Sequence, residues 1–87
     1  MATKESTEVR HDLIVRRPGV CGGSPCIKGT RMPVWSIVNH WRHGVSEGDL
    51  QNYFGVQLSQ ADIKAALAYY REHQEEIDTE IRENEEA

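Results

Sequence analysis

No apolar run in this sequence approaches the ~20 residues that a membrane-crossing helix needs. The basic start and greasy middle of a secretory signal are also missing. A cytoplasmic protein without membrane association is therefore the expectation. Cysteine is scarce: Cys21 and Cys26 are the two present. They are too few for the disulfide framework of a small secreted domain, and free thiols in a reducing compartment are expected. Aromatics are few as well, with two tryptophans, three tyrosines and one phenylalanine, so the core must be small. At 87 residues the chain makes one domain at most, and such a domain is only marginally stable alone. Dimerisation or partner binding is a common way for small domains to gain stability. Internal repeats are absent.

What is present is divided by charge. The formal net charge is −4, but the two ends differ in sign. Between Arg10 and Val45 lie Arg10, Arg16, Arg17, Lys28, Arg31 and Arg42 against Asp12 alone. Between Glu72 and Ala87 the acids face only Arg82. The first half can face a polyanion and the second would be repelled by one, so two interaction surfaces are expected.

The pattern of elements is mostly helical. Leu13–Val15, stopped by Pro18-Gly19, reads as a short strand. Cys26-Ile27 and Met32–Val34 flank a Gly-Thr turn and read as a tight ribbon. Val34, Ile37, Val38 and Trp41 recur at helical spacing, with Pro33 before them and Gly44 after. Ser46 and Ser59 each start a Ser-x-x-Asp step that caps a helix. The second helix, about Glu47 to Phe54, is expected to bury Leu50, Tyr53 and Phe54. The third is expected to run unbroken from Ser59 to about Arg82, with Ile63, Ala66, Leu67 and Tyr70 inward and Ile77 and Ile81 continuing the stripe past the body of the domain. The expected fold is mainly α: a short N-terminal β ribbon, then a three-helix, helix-turn-helix-like (homeodomain-like) unit with a long last helix. Residues 1–9 read as a disordered arm, 10–73 as the domain and 74–87 as an acidic helical extension.

Three motifs carry a family resemblance. They are Gly22-Gly23-x-Pro25-x-Ile27-x-Gly29-Thr30-Arg31-x-Pro33-Val34, Gly44-x-Ser46 with Leu50, and Leu58-x-x-x-Asp62-Ile63-x-Ala65-Ala66-Leu67-x-Tyr69. Over residues 12–73 the chain resembles the domain of unknown function 433 family. That family is similar to the antitoxins of bacterial toxin–antitoxin pairs, commonly set against PIN-like ribonuclease toxins. The resemblance implies a dimeric protein that binds its cognate toxin and its own operator DNA as a repressor. It implies no catalytic residue and no cofactor.

Other chemistries fit the residues less well. A phosphate loop needs Gly-Lys-Ser/Thr running into a helix, whereas Lys28 precedes Gly29 and Arg-Met-Pro intervenes. The glycines more simply let the backbone turn and approach a second chain, placing the ribbon near a dimer axis. No nucleophile–base–acid set stands out, and an enzyme is not expected. Cys21, Cys26, His40 and His43 come near a zinc-finger spacing, one residue short at the last histidine. A zinc-stabilised module is the minority alternative to free, packed thiols.

Arg10, Arg16, Arg17, Lys28 and Arg42 are candidates for phosphate contact, and Arg31 for either phosphate contact or holding the turn. At the start of the third helix, Ser59, Gln60 and Lys64 are candidates to face base edges, with Ser59 also a cap. For the partner, Tyr70, Gln74, Ile77 and Ile81 form a stripe suited to helix-in-groove docking. Arg71 and Arg82 are placed to pair with carboxylates of a nuclease site. The alternative is a dimeric protein-binding adaptor that does not touch DNA.

Overall fold

The computed structural model describes residues 11–16, 23–55 and 57–86. The expected arm at residues 1–9 lies outside them. A 3-10 turn, His11–Leu13, leads into β1 (Ile14–Val15), which pairs antiparallel with β2 (Cys26–Ile27). The register sets Ile14 opposite Ile27 and Val15 opposite Cys26. Past β2 the chain turns at Gly29, whose φ of 80° is left-handed and suits a residue without Cβ. It returns so that Ile27 N–H donates to the Met32 carbonyl at 2.9 Å and Cys26 bridges Pro33. Thr30 fastens this turn through its hydroxyl, which donates to the Ile27 carbonyl and accepts from the Met32 N–H.

Helix α1 (Val34–Arg42) follows, with Pro33 in extended conformation at its cap rather than inside its first turn. Its end is a Schellman closure: Val45 N–H reaches the His40 carbonyl and Gly44 N–H the Trp41 carbonyl, both at 3.1 Å. Gly44 supplies the required positive φ. Helix α2 (Glu47–Tyr53) is capped by Ser46. Helix α3 (Gln60–Glu72) begins with a complete capping box between Ser59 and Asp62, both bonds at 3.0 Å. Between them the turn is clamped at both ends, since Leu58 N–H donates to the Gln51 carbonyl while Gln51 Nε2 donates to the Leu58 carbonyl. The α2–α3 pair thus takes the expected helix-turn-helix order.

The mainly helical fold with a short ribbon is as expected, but the last helix is not continuous. It stops at His73, whose φ and ψ are −136° and 44°. A fourth helix, α4 (Gln74–Glu86), then packs back against α1 and α3. Tertiary packing imposes the break. No glycine or proline stands anywhere in residues 60–86, so local propensity favours one rod. The bend lets Ile77 and Ile81 enter the core, where they are 0% and 3% exposed. They join Ile27, Val34, Ile37, Val38, Leu50, Leu58, Ile63, Ala66 and Leu67 in one cluster. This corrects the expectation of an open apolar stripe: residues 74–86 close the domain instead of extending from it. Two aromatics also depart from the sequence reading, since Trp41 is 36% and Tyr53 53% exposed. No helix among the described residues is long and apolar enough to cross a membrane.

Because Ile77 is a core residue, Ile77→Ala is expected to lower unfolding free energy by about 2–5 kcal/mol. Urea denaturation measures this, and a change under ~0.5 kcal/mol, the surface range, would show that α4 does not close the core.

Candidate nucleic-acid interface

The capped start of α3 sets the site. Ser59 spends its hydroxyl on the Asp62 N–H, which leaves it a structural cap. Gln60 and Lys64, one turn apart, are exposed beside the clamped α2–α3 turn. The next turns are different: Ala65 to Ala68 are all buried, because the 3-10 turn, β1, α1 and α2 all pack on α3. Exposed side chains of α3 therefore lie in its first turns and again at its end, at Arg71 and Glu72.

The arginines fare differently from the sequence reading. Arg16, just past β1, donates to Tyr69 Oη at 2.8 Å and forms an ion pair with Glu76. Tyr69 in turn donates to the other Glu76 oxygen at 3.3 Å and stacks on His73, with ring centroids 4.1 Å apart. Arg42, at the end of α1, pairs with Asp78 at 3.0 Å, and the same carboxylate oxygen accepts the Tyr70 hydroxyl at 2.8 Å. A further tie joins Ser24 to Glu80 at 2.8 Å. Two of the expected phosphate contacts are thus occupied by the chain's own carboxylates. Lys28 and Arg31 are exposed on the ribbon turn and the segment after it. Arg10 and Arg17 lie outside the described residues.

Of the expected partner stripe, Ile77 and Ile81 are buried and Tyr70 is half-buried with its hydroxyl engaged. Arg71, Gln74 and Arg82 are exposed. Arg82 borders a shallow open hollow shared with Glu75, Glu76, Asp78, Thr79 and Glu80. The zinc alternative has three described members, each otherwise engaged. Buried Cys26 faces the Thr30 carbonyl, and the Nδ1 atoms of His40 and His43 donate to the Ser36 and Asn39 carbonyls. His40 also packs against Tyr53 and Phe54, at 4.9 and 5.1 Å between centroids. Cys21 lies outside the described residues, and among those described no three His, Cys, Asp or Glu side chains gather as a metal site.

Sequence reasoning missed Glu76, Asp78 and Tyr69. Their signal was the opposite charge of the two ends, which indicates attraction without saying which carboxylate meets which arginine. The hydrogen bond to Glu76 raises the Arg16 pKa above its ordinary value, keeping it charged. Burial raises both Tyr69 and Tyr70 above 10.0, with the Glu76 charge helping at Tyr69 and the Asp78 hydrogen bond at Tyr70.

A family model described as "Protein of unknown function (DUF433)" matches residues 14–70. The chain belongs to the DUF433 family. It is also similar to a DUF433 member protein from Anabaena variabilis ATCC 29413, whose crystal structure shares 42% identity at a TM-score of 0.73. That alignment covers 80% of this chain and 68% of the other. No curated protein matches. The segment matched to DUF433 ends before α4, so Glu76, Asp78 and both core isoleucines of α4 lie beyond it.

The raised tyrosine pKa values give a pH prediction. A group whose folded pKa exceeds its unfolded one stabilises fully below the unfolded pKa and loses that contribution as pH rises through the folded value. Stability to urea is therefore expected to fall above about pH 10, and Tyr70→Phe should flatten that fall. Phenolate absorbance of Tyr69→Phe and Tyr70→Phe variants should show each of these two hydroxyls ionising above the ordinary tyrosine range; ionisation of both at the ordinary value would contradict the packing.

Proposed function

We propose that this DUF433 protein is the antitoxin of a type II toxin–antitoxin pair. In this reading it is a cytoplasmic homodimer that neutralises a PIN-like ribonuclease toxin and represses its own operator. The observation that carries the DNA half is the capped, polar start of α3, with Gln60 and Lys64 exposed beside a clamped helix-turn-helix turn. Phosphate contact falls to Lys64 and Lys28, with Arg16 and Arg42 held in reserve by Glu76 and Asp78. The acidic helix begins at the far end of α3, about 20 Å along its axis from Gln60, and from there packs back against α1 and α3. The toxin half is supported by the family resemblance and by the exposed charges Arg71 and Arg82. Ile77 and Ile81 drop out of it, since the core has taken them.

A second reading, a protein-binding adaptor without DNA contact, is favoured by one observation: two arginines of the basic front are already neutralised within the chain. Titrating labelled DNA from the chain's own upstream region separates the two. As an operator-binding protein it should show a steep loss of affinity with salt. Lys64→Ala should lower the salt slope by about one and weaken all sequences alike, whereas Gln60→Ala should cost about 1–3 kcal/mol on the operator alone. Glu76→Gln with Asp78→Asn should strengthen binding by releasing Arg16 and Arg42. If neither the native chain nor that double variant binds at low salt, the adaptor reading stands. Co-expression with a neighbouring toxin tests the other half: Arg71→Glu with Arg82→Glu should lose protection while the helical circular dichroism is unchanged.

A further inference from the structure

We infer that two copies of this chain associate by exchanging α4, each α4 seating in the groove that its own chain would otherwise fill. The joint is the first reason. A single non-helical residue, His73, separates α3 from α4. The α3 ladder runs as far as His73, whose N–H bonds to the Tyr69 carbonyl four residues back and also to Tyr70, and it resumes in α4 with Ile77 N–H on the His73 carbonyl. Straightening the joint sets the N–H groups of Gln74 and Glu75 against the carbonyls of Tyr70 and Arg71, four residues back, in the ladder pattern. No glycine or proline in residues 60–86 opposes this, but the Tyr69–Glu76 and Tyr70–Asp78 hydrogen bonds cross the bend and must re-form with the α4 of the other copy. The bent form is maintained by the contacts of α4 with the body, and those contacts do not depend on which chain supplies the helix.

The second reason is reach. Residues 60–86 as one helix would be roughly 40 Å long, so α4 would stand clear of its own domain and leave its groove empty. The occupant that fits is another α4. The groove offers apolar walls from α1 for Ile77 and Ile81, and it holds Arg16, Arg42 and Ser24 where Glu76, Asp78 and Glu80 meet them. A one-residue hinge that bends against its own helical preference is the arrangement that favours exchange between identical chains. This inference stands apart from DNA binding, and it places the two-fold contact at α4 instead of at the glycine-rich ribbon.

The full chain can be tested by light scattering across a wide concentration range. The native chain should show a monomer–dimer equilibrium. His73→Ala should tighten the dimer by about tenfold, because each dimer contains two joints and alanine favours the straight form at both. Inserting Gly-Gly-Ser after His73 should give a monomer that still unfolds cooperatively. Dimer from the insertion variant at native strength, or monomer throughout for both the native chain and His73→Ala, would overturn the inference. To identify the contact, Arg42→Lys allows carbodiimide to join residue 42 to Asp78. In dimers refolded from mixed ordinary and isotope-labelled chains, joined peptides carrying both isotopes support exchange; peptides of one isotope only refute it.

Discussion

The docking of α4 onto α1 is the constraint on which the rest of this small fold depends. A chain of this length has little apolar surface to spare, and without Ile77 and Ile81 its central cluster would be open on one side. The helix that supplies them is otherwise acidic, so it cannot settle on apolar packing alone. Its carboxylates need partners where it lands, and Arg16, Arg42 and Ser24 provide them. Each exposed ion pair contributes little by itself. Together they fix the rotation of a helix whose buried face is only two isoleucines wide.

That arrangement changes what the basic front end can do. A surface whose arginines are tied to carboxylates attracts a polyanion less than the residue count suggests. The chain's capacity for phosphate contact is thereby linked to the position of α4. The polar start of α3 is untouched by this. It is held by a capping box and by the Gln51–Leu58 clamp, both local to the α2–α3 turn. A locally fixed polar helix start and an ion-paired acidic helix therefore coexist in one short chain.

The bend at His73 ties these features together. It costs ladder hydrogen bonds and gains core closure. The balance is between local backbone satisfaction and non-local packing, and the Tyr69–His73 stack and the Tyr70–Asp78 bond act on the packing side. Small domains with such a joint have a simple route to association, because the packing term can be met by a second chain.

Much of this was legible in the sequence, for identifiable reasons. Ser46, Ser59, Asp62 and Gly44 determined the starts and stops of the helices, since caps and left-handed turns are satisfied within a few residues. The spacing of Val34, Ile37 and Val38 determined the buried face of α1, and Ile63, Ala66 and Leu67 that of α3, because helical period alone sorts inside from outside. The family motifs lie in these same segments. The return of α4, the loss of Ile77 and Ile81 as an open stripe, the pairing of Arg16 and Arg42, and the exposure of Tyr53 were decided only by the tertiary structure. Each turns on contacts between residues far apart in the chain, and a sequence read window by window contains the charges and the apolar stripe without saying what they meet.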